Sequence, residues 1–265
     1  MVSEEASRDV RLVREVSLTA TFTALVFLST SLFYIGVVAS TGFFNLGESF
    51  VYLAALIGGP VVGAIAGGVG SALADLALGY GTFAPATLVL KGSEGFVAGY
   101  LFRMSKKVSN RTQFALLGLV SVFLTAFAVW VTTPALNGSP QSGSFDFGLN
   151  LLGLFNDLSL SIPGFVLVLV VLLFLAILWF VSFYYKEKGK MVLSCALAGP
   201  IIVVGYFAYE VFFLGLAVEA ALWEVPFNVA QVVFGIVIAV PIVSYLRDLG
   251  VVRGEQQTQT FEAVH

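Results

Sequence analysis

This chain has eight apolar stretches, most of them close to or beyond the length a lipid bilayer demands, and no other feature limits its fold so strongly. A hydrocarbon core about 30 Å thick takes about 20 residues of α-helix to cross. Inside it every backbone N–H and C=O must find a partner in the chain itself, so apolar runs of this length are read as helices. Reading the runs between polar residues and Gly or Pro breaks predicts helices near 11–39, 47–57, 60–80, 84–104, 113–134, 161–185, 191–217 and 226–247. With 58% hydrophobic and 11% charged residues, against about a quarter charged in an ordinary soluble domain, nearly the whole chain is membrane domain. The fold class is an all-α polytopic membrane bundle, with the bilayer as its first partner and the cell membrane as its location.

The second segment is too short to cross alone and meets the third at Gly58-Gly59-Pro60, a turn signal inside the apolar zone. A half-depth or steeply tilted element is expected there. Lys and Arg collect on the cytoplasmic side of a membrane protein. Here Arg8, Arg11 and Arg14 precede the first helix, and Arg103, Lys106, Lys107 and Arg111 lie between the fourth and fifth. Lys186, Lys188 and Lys190 lie between the sixth and seventh, and Arg247 and Arg253 follow the last. The outer connections, near 40–46, 81–83, 135–160 and 218–225, hold neither Lys nor Arg. Both termini are therefore expected in the cytoplasm, and Lys91 is the one cation left over.

An ionisable side chain at bilayer depth costs at least about 2.5 kcal/mol and usually faces a cavity or a partner. Lys91 and Glu94 sit at i and i+3 on one helix face, so a structural ion pair is a serious alternative to a solute-binding role. Depth favours the second role. Lys91 is about 10 Å below the outer end of its helix at 1.5 Å per residue. Glu48 opens the short second helix, Asp75 is near the outer end of the third, Glu210 is in the outer half of the seventh, and Asn228 and Gln231 begin the eighth on one face. Packing alone has no reason to favour one leaflet, whereas an outward-facing pocket does. The aromatics Phe43, Phe44, Tyr52, Tyr80, Tyr206 and Phe227 lie at or near that level, while Trp130 and Trp223 read as interfacial belt residues.

Other signals restrict the chemistry. Gly59, Gly63 and Gly67 repeat every fourth residue, as do Ala20 and Ala24 in "LTATFTALVF", and small residues at that spacing let helices approach closely in lipid. No P-loop, H-E-x-x-H or G-x-S-x-G pattern occurs. No basic patch interleaved with aromatics points to nucleic acid. One cysteine, Cys195, and one histidine, His265, offer no metal cluster, and no cofactor is expected. A sequon at Asn137 is a weak pattern followed by Pro140.

The ordered series "GFFNLGESFVYLAALIGGPVVGAIAGGVGSALADLALGYGTFAPATLVLKGSEGFVAGYL", then "GYFAYE" and "EVPFNVAQVVFGIVIAVP", resembles the substrate-binding S component of energy-coupling factor (ECF) vitamin transporters, of the riboflavin-type group. The resemblance covers the first four helices and the last two. It implies a six-helix membrane protein that binds a vitamin near its extracellular face and works with a T component and two ATPase subunits. It implies that Ala20 and Ala24 match the AxxxA contact to the T component, and that "STGFFNLGES", with Phe44 and Asn45, resembles a gate over the site. The pair 113–185 is then an insertion between core helices 11–104 and 191–247 of a single membrane domain, 1–265, with short cytoplasmic tails 1–10 and 248–265.

The resulting expectation is a non-catalytic capture subunit. Lys91, Glu94, Asn228 and Gln231 are its first pocket candidates, and Glu48, Asp75, Tyr206, Glu210, Phe44 and Asn45 complete the set. Riboflavin leads as cargo, with a thiamine precursor close behind. Two other readings stay open: a stand-alone ion-coupled transporter acting through Lys91 and Glu94, and a membrane enzyme using the carboxylates of Glu48, Asp75 or Glu210.

Overall fold

The computed structural model describes residues 2–37, 43–105, 109–136, 144–148, 159–184 and 189–252. The side chains of Trp130 and Trp223, the sequon at Asn137, and Lys106, Lys107, Lys186, Lys188, Arg253 and His265 lie outside the described residues. In chain order the elements are α1 (Val2–Leu32), β1 (Tyr34–Val37), β2 (Phe43–Asn45), α2 (Gly47–Gly58), α3 (Pro60–Leu78) and α4 (Ala84–Met104). There follow α5 (Asn110–Leu136), β3 (Ser144–Gly148), β4 (Ser159–Pro163), α6 (Gly164–Tyr184), α7 (Gly189–Ala198), α8 (Pro200–Phe212) and α9 (Val218–Asp248).

The protein is an all-α membrane bundle. Among the described residues, Arg8–Leu32, Pro60–Leu78, Gly189–Phe212 and Glu224–Asp248 are long and apolar enough to cross a bilayer. Helix α4 has 21 residues but carries Lys91, Glu94 and Arg103.

Several boundaries differ from the sequence reading: α1 begins at Val2 rather than 11, α6 at Gly164 rather than 161 because Ser159–Pro163 is strand, and α8 ends at Phe212 rather than 217. The first helix stops at Leu32 rather than 39, because Tyr34–Val37 leave the helix and pair antiparallel with both β2 and β3. A small sheet of order β2-β1-β3-β4 results, so part of the segment read as an outer loop, 135–160, is strand. The segment 191–217 divides at Gly199-Pro200, where proline has no N–H for the helical ladder. Helix α9 begins at Val218 rather than 226 and runs through Pro226.

Glycine sets the turns and the spacing of the front helices. Gly59 and Gly79 both have φ 87°, a left-handed conformation that side chains disfavour. At Gly79 the end of α3 folds back, with the Tyr80 N–H donating to the Asp75 carbonyl at 2.8 Å. Helices α3 and α4 meet through glycine: a Cβ on Gly63 would stand 2.7 Å from the Gly95 carbonyl, and one on Gly99 would stand 2.7 Å from Pro60 N. The four-residue row is a helix contact, as small residues in lipid predict.

Helix α2 has 12 residues, about 18 Å at 1.5 Å each, well short of a hydrocarbon core about 30 Å thick. Its last carbonyls are met by arginines. Arg247 of α9 reaches the Leu56 oxygen and Arg103 of α4 reaches the Gly58 oxygen, each at 3.4 Å. The Arg247 guanidinium also lies over the Phe102 ring, 4.7 Å from its centre. Cations at a helix C-terminus answer both its free carbonyls and its dipole. Helices α5 and α6 meet through Phe114, Trp179 and Phe183, and Trp179 Nε1 donates to Ser121 Oγ at 3.1 Å. Leu117 and Leu175 bury into the same core as α2, α7 and α9.

Candidate functional site

The bundle has two unlike ends. Arg103 and Arg247 hold one; at the other, polar side chains from α1, β2, α3, α4, α8 and α9 converge on a cavity. Six residues expected from sequence line it: Lys91, Asp75, Tyr206, Asn45, Asn228 and Gln231. Phe43 also lines it, its ring 4.7 Å from that of Tyr80. The open space is about 30 Å³, room for water rather than for a heterocycle, whose sites run to about 300 Å³ or more.

Lys91 forms one edge. Its ammonium donates to Glu48 Oε2 at the start of α2, and Glu94 Oε2 lies 4.0 Å away on its own helix. All three side chains are buried. The i, i+3 pairing with Glu94 is therefore the weaker of two, and the main partner comes from another helix. Glu48 sits in the first turn of α2, where the positive end of the helix dipole favours a carboxylate. Glu94 lies behind Lys91 and accepts a hydrogen bond from the Tyr52 hydroxyl at 2.7 Å. Neither Glu48 nor Glu94 lines the cavity.

A second chain of contacts crosses three helices. The Tyr206 hydroxyl of α8 donates to Thr87 Oγ1 of α4 at 2.9 Å, and Thr87 is bonded in turn to the Asp75 carboxylate of α3. The other Asp75 oxygen makes no hydrogen bond within the protein. On α9 the Gln231 amide nitrogen reaches Asn228 Oδ1 at 3.3 Å and the Phe43 carbonyl at 3.4 Å. That leaves Gln231 Oε1 and Asn228 Nδ2 as an acceptor and a donor with no partner in the protein.

Other expected residues stand apart or have a local task. Glu210 is fully buried against Glu224 and does not line the cavity. Phe44 packs edge-on against Phe234, ring centres 6.0 Å apart, outside the lining. Asn45 Oδ1 accepts the Gly47 N–H at 2.9 Å and so starts α2 as well as lining the cavity. Ala20 and Ala24 both lie exposed on α1.

Sequence reasoning missed Thr30, Ser71, Phe83, Thr87 and Glu224, which also line the cavity. The hydroxyls carry no charge to mark them in an apolar helix. Glu224 carries a usable signal, a carboxylate two residues before Pro226, but the connection expected at 218–225 is part of helix α9.

A family model described as ECF-type riboflavin transporter, S component, matches residues 11–176. The matched range runs through α5 into α6 and ends before α7, so Tyr206, Glu210, Glu224, Asn228 and Gln231 lie beyond it. A Pyrococcus woesei protein described as "Uncharacterized protein in gap 3'region" is 34% identical over 140 residues, 53% of this chain and 86% of that protein. No solved structure matches the chain.

Proposed function

This chain belongs to the family of ECF-type riboflavin transporter S components, and from that premise we propose that it captures riboflavin from the extracellular side and delivers it through a T component energised by partner ATPases. Family membership makes it a non-catalytic, vitamin-binding membrane subunit of an ECF transporter. The identity of the vitamin, the partner subunits and the binding residues are our reading.

One observation carries that reading. Asn228 Nδ2, Gln231 Oε1 and one Asp75 oxygen, all buried, face a common cavity with hydrogen-bonding capacity unused by the protein. Buried polar atoms without partners are costly, and a flavin offering a ring carbonyl to Asn228, with its one ring N–H and its ribityl hydroxyls shared between Asp75 and Gln231, would satisfy them. The arginine end of the bundle faces the cytoplasm in this reading, which puts the cavity on the outer side with both termini inside. Residues 1–265 act as one membrane domain, with α5 and α6 packed beside the helices that build the cavity. Because the open space is small, a vitamin enters only as the lining side chains move apart.

The test is native mass spectrometry of gently solubilised protein, followed by titration with riboflavin and thiamine. A bound flavin is expected, with affinity falling about tenfold in Asn228→Ala, the cost of one buried hydrogen bond to the ligand. Binding unchanged in Asn228→Ala and in Gln231→Ala would remove α9 from the site.

Partner assembly has its own surface. Ala20 and Ala24 lie exposed on α1, where small side chains allow a second helix to approach. Ala24→Trp is expected to abolish co-purification of the T component while leaving riboflavin affinity unchanged. Retained assembly would assign the contact elsewhere.

A further inference from the structure

A lysine at the edge of a polar cavity suggests a counter-ion for a ligand phosphate or carboxylate, and the charges around this cavity argue otherwise. Lys91 is the only Lys or Arg among the lining residues, and its ammonium is committed to Glu48, with Glu94 4.0 Å away. Two further carboxyl groups, Asp75 and Glu224, line the same cavity, and Glu210 stands directly behind Glu224. Asp75 is 3% exposed and one of its oxygens has no hydrogen-bond partner, as is true of the Gln231 carbonyl oxygen, also 3% exposed. The atoms left for a ligand are therefore weighted towards acceptors on an acidic wall, with the Asn228 amide as the facing donor. An anionic group brought here would meet carboxylates with no spare cation to offset them, and like charges apposed in a poorly hydrated site repel strongly.

We propose that this cavity selects its solutes by charge, admitting neutral and cationic heterocycles and excluding phosphorylated or carboxylated ones, with Asp75 as the specificity-determining residue. The proposal rests on reading the cavity as the substrate site, and it narrows the substrate class to the free vitamin rather than its phosphate ester. Asp75 accepts a hydrogen bond from the ligand through its unpartnered oxygen. Lys91 holds Glu48 and Glu94 in place and leaves no charge over for the ligand.

Charge-selective thiol modification tests this without assuming which vitamin binds. The single native cysteine, Cys195, is buried and is replaced by alanine, and Ser71→Cys, or separately Thr30→Cys, places one thiol in the lining. Each variant is treated with a trimethylammonium-bearing and a sulfonate-bearing methanethiosulfonate, with rates normalised to those of a small free thiol. The cationic reagent is expected to react about tenfold faster or more, as field focusing in a charged cleft allows, and Asp75→Asn should narrow that ratio. Equal rates, a faster anionic reagent, or a thiol closed to both reagents at both positions overturns the proposal. Protection is the second readout. Riboflavin should slow modification and riboflavin 5′-phosphate should not; equal protection by both overturns charge exclusion. Charge selectivity that persists with no protection by riboflavin or thiamine leaves the proposal standing and removes the vitamin reading instead.

Discussion

Lys91→Met should cost this protein about 3–5 kcal/mol of stability, the usual consequence of removing one partner from a buried charge pair. The ammonium sits between two fully buried carboxyl groups, Glu48 on α2 and Glu94 on α4, and the Tyr52 hydroxyl donates to the second. Deleting the charge strands those carboxylates away from water, where an ionised group without a partner is least tolerated. In a thermal-shift assay of detergent-solubilised protein the apparent Tm should fall by about 10 °C or more. The double variant Lys91→Met, Glu48→Gln should recover part of the loss, because it removes the nearer of the two stranded carboxylates and leaves Glu94 with the Tyr52 hydroxyl. Isosteric neutralisation of a buried pair is often nearly neutral, so recovery is the stronger test of the two. Lys91→Met protein that melts as the parent does, yet fails to bind a vitamin, would show that the ammonium serves the ligand and not the carboxylates.

Sequence reasoning could find Lys91 but not its main partner. A charged residue in an apolar run announces itself, and i, i+3 spacing nominates Glu94 without any knowledge of tertiary structure. Glu48 is on a different helix, and only the folding together of α2, α3 and α4 sets it beside Lys91. For the same reason Asp75, Asn228 and Gln231 were legible as candidates from type and depth, whereas Thr30, Ser71 and Thr87 were not. A hydroxyl in a helix usually satisfies itself on the preceding turn, as Ser194 does on the Lys190 carbonyl at 2.7 Å, so its presence says little about a site. The sequence locates helix starts at Pro60 and Ala84. It does not reveal that Tyr34–Val37 leave the helix as strand, that Gly199-Pro200 divides an apolar run, or that Pro226 lies inside α9 rather than at its start.

The glycine row carries the second large effect, and it connects helix spacing to the site. Gly95→Val should destabilise the protein by about 3 kcal/mol or more, at or beyond the upper end of ordinary overpacking. A Cβ at Gly95 would collide with the Gly63 carbonyl oxygen and stand 2.6 Å from its carbon, and these are backbone atoms that cannot swing aside as a side chain can. One turn away, a Cβ on Gly67 would stand 2.8 Å from the carbonyl of Lys91 itself. The backbone that presents Lys91 thus rests directly on a glycine of α3. Prising α3 and α4 apart therefore does two things: it opens an apolar contact, and it moves Lys91 relative to Glu48 on α2. Gly95→Val should give little monodisperse protein in gel filtration, and whatever survives should bind riboflavin weakly. Gly81→Ala is the control, since a Cβ there would meet only Leu76, at 3.7 Å, and its melting temperature should match the parent. A Gly95→Val protein with parental melting and parental binding would mean that α3 and α4 do not need this approach. The four-residue glycine spacing would then have no bearing on the cavity.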